Sequence, residues 1–258
     1  YRKIIKDEKQ AEILEMESKA VRDDADIAAL INENIARVKR EPKNINYRRA
    51  LASLYLSNKM YDEAVKSIEE AQQVTAGRDP QLDNMLSQVK LQKYDSDIAV
   101  LRQAGNEAQA QELEAKRTAF AFEDLNTRVV RYPNDLQLRY ELGVIMHERN
   151  QVNDAIQQFQ LAQRSPQLHT RSLYYIGMCF AAKKQYDMAA EQLEKAVAEM
   201  SGMDDQKKAA LYELGVVWEA MGDHPKSQDF FKQIYQSDIG YRDVSARIEK
   251  GYAGVPKT

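Results

Sequence analysis

Residues 140–159 read YELGVIMHERNQVNDAIQQF, and residues 212–231 read YELGVVWEAMGDHPKSQDFF. The word YELGV occurs twice, beginning at Tyr140 and again at Tyr212, and an aromatic residue closes each stretch. Working outward from it, the step from Gly143 to Gly177 is also the step from Ala155 to Ala189 and from Ala162 to Ala196. A fixed period of this size, roughly 34 residues, marks a chain built from stacked supersecondary units. Within each unit Leu142, Gly143 and Met146 recur at helical spacing, and so do Ala155, Phe159 and Ala162.

The units can be followed residue by residue. Leu142-Gly143 with Met146, then Ala155, Phe159 and Ala162, form one; Ile176-Gly177 with Phe180, then Ala189, Leu193 and Ala196, form the next. Leu214-Gly215 with Trp218, then Ser227, Phe231 and Ile234, form a third, delayed by four residues through the loop SGMDDQ. An earlier copy has Leu51-Ala52 with Tyr55, then Ala64, Ile68 and Ala71. Small residues at the Gly and Ala places let two helices of a hairpin approach closely. Pro42, Pro133 and Pro166 act as helix stops, and Asp79-Pro80 and Asp223-His224-Pro225 have the form of capped helix starts.

This pattern of period, L-G pair, A-x-x-x-F and closing small residue resembles the tetratricopeptide-repeat family, over at least 44–76 and 136–238. The resemblance implies an all-α fold, a right-handed α-solenoid of antiparallel helix pairs, with repeats at 44–76, 136–169, 170–203 and 208–238. The composition agrees independently: 10 Gly and 6 Pro in 258 residues, with 30 % charged residues, leave a sequence of good helix formers. Between the copies the period fails. Residues 81–131 break only at Ala104-Gly105-Asn106, which predicts a long helical hairpin, either a contact arm or a diverged repeat with longer helices. Residues 1–24 predict a charged helix with a thin apolar stripe, AALINENIARVKREP predicts a second, 240–250 a capping helix and 251–258 a tail; the solenoid proper spans 25–250.

No sequence pattern points to catalysis, a metal or a cofactor. Phosphate loops, dinucleotide fingerprints and zinc signatures are missing, and His147, His169 and His224 do not share a helical face at ligand spacing. The lone Cys179, between Met178 and Phe180, predicts a buried thiol. The net charge of −3 argues against a nucleic-acid or anionic-lipid partner. A local basic stretch, Arg37, Lys39, Arg40, Lys43, Arg48 and Arg49, reads either as a solvated helix end or as a docking patch for an acidic partner. The sequence has no apolar run long enough to span a bilayer. It starts at Tyr1 rather than Met, so the expectation is a trimmed chain. The expected location is cytoplasmic, or periplasmic or membrane-tethered if a segment preceded Tyr1.

The repeats carry the functional signal. With the glycine of each first helix as origin, the residues at −3, +1 and +4 form a second stripe: Tyr140, Val144 and His147; Tyr174, Met178 and Ala181; Tyr212, Val216 and Glu219. In the family that flank lines a concave groove where a peptide or partner helix docks. A helix with one face to bury needs no second apolar stripe. Three accounts of it stay open: the tyrosines pack between adjacent first helices, they form a ladder facing a ligand with Glu148 and Arg171 beside it, or the groove is filled by the chain's own N-terminal helix. With Tyr, Val and Met on these rungs, and only Arg49 with Ser53 and Arg171 suited to a basic clamp, the ligand expected is an apolar or amphipathic segment of a protein partner. The rival is a self-assembling protein, a homo-oligomer formed through the N-terminal helix or the long hairpin.

Overall fold

The computed structural model describes residues 24–253, and among these twelve α-helices account for all the regular structure. They are α1 (Asp24–Arg40), α2 (Ile45–Ser57), α3 (Tyr61–Val74), α4 (Pro80–Gln103), α5 (Glu107–Arg131), α6 (Leu136–Glu148), α7 (Val152–Ala162), α8 (His169–Ala182), α9 (Tyr186–Glu199), α10 (Asp205–Ala220), α11 (His224–Ser237) and α12 (Val244–Ala253). The expected helix at the N-terminus lies outside the described residues. The chain divides into two compact units within α5, at Asp124 and Leu125.

In the second unit, α6/α7, α8/α9 and α10/α11 are antiparallel pairs, each packed on the next, and α12 closes the stack on α11. The first unit holds the pair α2/α3, with α1 packed before it and α4 after it. The core is accordingly a string of local clusters. Ala52, Ala64, Ile68, Leu82 and Val89 form one; Ala155, Phe159, Ala162 and Cys179 another; Ala189, Leu193 and Leu214 a third; Phe231, Ile234, Val244 and Ile248 the last.

One contact explains the repeated glycine. A Cβ built on Gly143 would stand 2.8 Å from the Phe159 ring, one on Gly177 2.6 Å from Leu193, and one on Gly215 2.6 Å from Phe231. Each glycine is the hole for a knob from its partner helix. Close packing leaves no slack for a methyl group there.

The pairs also share one turn. Seven residues past Ala52, Gly143, Gly177 and Gly215 stand Lys59 (φ 59°), Asn150 (59°), Lys184 (59°) and Gly222 (82°), all left-handed. Each of these turns makes the same two backbone bonds, as with Lys184 N to Ala181 O (2.9 Å) and Gln185 N to Phe180 O (2.9 Å). That is the Schellman closure, which satisfies the last carbonyls of the first helix. It fixes the second helix's entry: Met60, Gln151 and Gln185 start their helices with no side-chain cap, while α11 adds one, Asp223 accepting from Lys226 N at 3.1 Å. First helices enter from longer loops, and Asn44, Asp79, Asp135 and Asp204 cap four of them with their side chains, while α8 starts at Leu168 without one.

The long hairpin closes with that turn too: Gly105 (φ 75°) is its left-handed residue, with Gly105 N to Arg102 O (3.0 Å) and Asn106 N to Leu101 O (2.9 Å). Ala110 follows, fully buried, in the place of Ala155 and Ala189 relative to the turn. What differs is where α4 packs. On α8 the buried residues Ser172, Ile176, Gly177 and Cys179 lie within one helical stretch just before the turn. On α4 the corresponding residues are Leu82, Leu86 and Val89, which cluster with α3, and the buried Ser87, each eleven residues further from its turn. At about 100° per residue, eleven residues bring the chain back to nearly the same face. The hairpin is thus a repeat lengthened by three helical turns. Arg117 to Asp95 (2.6 Å), Arg102 to Glu114 (2.9 Å) and the rings of Tyr94 and Phe120 (6.0 Å) join its two arms.

The closing helix departs from the expected span. It runs Val244–Ala253, so the expected tail contributes its first residues to the helix. Residues 240–243 form a turn instead, with Arg242 left-handed (φ 46°) and Ser245 Oγ donating to Ile239 O at 2.8 Å.

Candidate functional site

Each tyrosine of the stripe meets the next element of the stack, and the three meetings differ. Tyr140 on α6 is only 8 % exposed. Its ring contacts Phe159 and Tyr175 edge-on, both at 5.8 Å, and the Arg171 guanidinium lies 5.6 Å from its centroid. Burial, and then the neighbouring Tyr175, hold its phenol above the usual range.

Tyr174 on α8 is half-buried and contacts Tyr175 edge-on at 5.3 Å. Its phenol is pushed up to about 12, chiefly by burial and further by Glu213 on α10. At neutral pH it is therefore an uncharged donor and acceptor.

Tyr212 on α10 is covered by α12 and the turn that leads into it. Its hydroxyl donates to Asp243 Oδ1 at 2.6 Å, and the guanidinium groups of Arg242 and Arg247 lie 4.4 Å and 5.4 Å from its ring. Burial and the hydrogen bond to Asp243 raise its pKa. Glu219, the far end of this rung, is ion-paired with Arg247. The chain's own closing segment thus occupies the third rung.

The remaining stripe residues are less available than a simple wheel suggests. Val144 packs on the cluster of Phe159, and Val216 on that of Phe231. Met178 is half-buried and Glu148 exposed. His147 contacts the Tyr175 ring edge-on at 5.8 Å, and burial depresses its pKa while Glu148 opposes the shift.

Where Tyr140 and Tyr174 meet Arg171, an open pocket of about 250 Å³ forms, completed by Tyr175, Met200, Asp205, Gln206 and Ala209. Two of its features come from departures from the repeat. Tyr175 stands where the other copies carry Glu141 and Glu213. It stacks on Phe159 at 5.0 Å and 16° while edging Tyr140 and Tyr174, which makes it the hub of the aromatic group. Asp205 and Gln206 belong to an early start of α10, which begins ten residues before its glycine, against seven in α6. The lengthened SGMDDQ loop and this extra turn build the pocket's far wall. The doubled tyrosine of SLYYIG, and the longer step from Gly177 to Gly215 than from Gly143 to Gly177, were the sequence signals for it.

Half of the basic stretch is ion-paired within the fold. Arg37 pairs with Glu33 at 3.3 Å, Arg48 with Glu70 and Arg49 with Asp79; Lys39, Arg40 and Lys43 are exposed. A wider groove of about 580 Å³ lies beside them, lined by Ile35, Val38, Leu51 and Tyr55 with Lys39, Lys66 and Glu63. Cys179 is fully buried and burial pushes its thiol up to about 12, which makes it inert. His169 is held by Gln163 O (2.9 Å) and Glu199 (3.2 Å). Among the described residues no three His, Cys, Asp or Glu side chains group at metal-binding distance, and no helix is long and apolar enough to cross a membrane.

The tetratricopeptide-repeat family model matches residues 148–205, from the end of α6 into α10. Among solved structures the chain is similar to YrrB, described as a TPR protein with an unusual peptide-binding site, at 14 % identity over 84 % of this chain and 97 % of that one, TM-score 0.58. It is similar to MamA from residue 41 to the end from Desulfovibrio magneticus RS-1, at 15 % identity over 76 % and 96 %, TM-score 0.54. It is also similar to BtubC from P. vanneervenii, at 16 % identity over 91 % and 92 %, TM-score 0.52. At these identities the likeness establishes the fold. A search of curated proteins finds no match.

Proposed function

We propose that this tetratricopeptide-repeat protein is a non-catalytic scaffold that takes up an apolar or amphipathic segment of a partner protein on the first-helix face of its second unit. The observation that carries the reading is the open pocket at Tyr140, Tyr174, Tyr175 and Arg171. Three successive first helices, α6, α8 and α10, contribute to it, so an extended segment crossing them meets a side-chain socket midway. Tyrosine and arginine are the residue types over-represented where interfaces concentrate their binding energy. YrrB shares the fold and is described as peptide-binding, which supports the same use of a helical-repeat face here.

The ladder expected from the three tyrosines narrows in this proposal. Tyr174 is its open rung, Tyr140 is the pocket floor, and Tyr212 belongs to the closure of the stack by α12. Random twelve-residue peptides displayed on phage are selected on the folded protein, and an enriched peptide is synthesised and titrated by fluorescence anisotropy. Tyr174→Ala is expected to weaken it at least ten-fold, and Tyr212→Phe to leave it unchanged. Equal affinity for wild type and Tyr174→Ala would sink the proposal. Light scattering tests the self-assembly rival: a concentration-dependent dimer lost on removal of residues 1–23 would favour it.

A further inference from the structure

The pocket is asymmetric in charge, and that asymmetry names the segment it takes. Its neighbouring ionic groups are paired within the fold: Glu213 holds Arg242 at 2.9 Å, and Asp205 holds Lys208 at 2.7 Å, a lysine that Asp238 shares at 2.9 Å. Arg171 is the exception. It is exposed, and among the described residues it makes no ion pair. Its guanidinium rests 5.6 Å from the Tyr140 ring, on the pocket's lip. A guanidinium so placed keeps its planar fork free for a carboxylate while the ring limits its freedom, which lowers the entropy lost on pairing.

The cavity beneath is aromatic on two sides. Tyr174 and Tyr175 meet edge to face, at 80° between ring planes, so they present a face and an edge to the same space. Aromatic rings settle in that kind of corner, by offset stacking on one wall and edge contact with the other. About 250 Å³ accommodates one large aromatic side chain and little more. Met200 adds a polarisable thioether to the wall, a favourable neighbour for a ring.

Building on the groove reading, we infer that the pocket recognises a segment carrying an aromatic side chain with an aspartate or glutamate within two residues of it, the ring seated against Tyr174 and Tyr175 and the carboxylate paired with Arg171. A cationic side chain would find aromatic walls here too. It would, however, sit beside the uncompensated Arg171 charge, so the geometry favours the acid.

The test uses the full chain and the phage selection described above. Enriched peptides are expected to place Trp, Phe or Tyr next to Asp or Glu. For a synthetic representative, changing the acid to its amide is expected to weaken binding by about ten-fold in wild type and by less than two-fold in Arg171→Gln. Affinity is also expected to fall as salt rises, an effect lost in Arg171→Gln. A selection repeated on Arg171→Glu, after circular dichroism confirms its fold, should lose the acidic preference. Peptides that need Tyr174 yet bind Arg171→Gln as tightly as wild type, or that are enriched in Lys and Arg, overturn this inference and leave the groove proposal standing. Peptides insensitive to Tyr174→Ala, or no enrichment at all, overturn both.

Discussion

The hairpins α8/α9 and α4/α5 close through the same turn, yet α8 meets the helix before it close to that turn and α4 meets α3 three helical turns further back. In α8/α9, Gly177 takes Leu193 a few residues from the left-handed Lys184. In α4/α5, the residues that bind α3 lie three helical turns further back from Gly105. The second arm differs in step, since α5 is 25 residues long against 14 for α9. Near the turn of the long hairpin, Ile98 and Ala110 are buried, and two largely exposed ion pairs, Arg102–Glu114 and Arg117–Asp95, cross between the arms. Such pairs are each worth ~0–1 kcal/mol, whereas a buried Leu or Phe contributes several times more. The comparison teaches that the turn specifies a hairpin, and that the knob-and-hole pair decides where it becomes a repeat.

The largest effect that could break this contrast is loss of the knob. Phe159→Ala, at a fully buried site, is expected to cost about 3–5 kcal/mol. Phe120→Ala, at the half-buried ring beside Tyr94, should cost less than half as much. Urea denaturation followed by circular dichroism measures both; equal losses would mean that the long hairpin is packed like the others.

The hole comes next. Gly177→Ala puts a methyl group 2.6 Å from Leu193 and is expected to destabilise by about 1–3 kcal/mol. Its counterpart on α4, Ser87, already carries a Cβ, so Ser87→Ala should cost no more than about 1 kcal/mol. A tolerated Gly177→Ala would show that the pair can slide apart freely.

The turns offer a smaller test with opposite signs. Gly105→Ala, left-handed but with open space around the new methyl, is expected to cost roughly 1 kcal/mol through backbone strain alone. Lys184→Gly relieves the same strain and is expected to stabilise by up to about 1 kcal/mol, read as a higher urea midpoint. A loss in both would mean that the Lys184 side chain matters more than its φ.

The smallest effect is the pH dependence of the α6–α8 contact. Burial depresses the pKa of His147 in the folded chain, so below its ordinary value of about 6.5 the unfolded chain binds the extra proton first. The stability linked to His147 is therefore complete above about 6.5 and is lost as pH falls from there towards the depressed folded value. Urea midpoints at two pH values on either side of that range should fall further on acidification for wild type than for His147→Gln. An equal fall in both would remove His147 from the account.

Much of the fold was legible because a repeat writes its local chemistry several times. The Leu-Gly pair, the Ala and the closing aromatic recur at one period, and they are the hole, the close approach and the knob. Ala110 was hidden because it recurs in step with Gly105 and not with the period. The site was legible only as a stripe. A helical wheel places Tyr140, Tyr174 and Tyr212 alike, since it knows only their own helices. What separates them is the next element in the stack: Tyr175 and Arg171 over the first, Asp205 and Gln206 beside the second, Asp243 and Arg247 over the third. In the basic stretch, the partners of Arg48 and Arg49 were out of view for the same reason, because Glu70 and Asp79 lie on the next helix and at the start of the one after.

The eleven-residue displacement along α4 also constrains how such an arm can change. Length added to one helix of a packed pair must come in amounts that return the contact face, or the seam rotates into water. Four residues leave an error of about 40° at 100° per residue, while seven and eleven leave about 20° of opposite sign. An arm can therefore grow or shrink only in steps that return its contact face. Eleven residues over three turns give about 3.67 residues per turn, the phase of a right-handed coil. The lengthened hairpin is a ratcheted lever with few settings. Shortening each arm by four residues leaves an insertion of seven, which offsets the contact face by about 20° in the opposite direction.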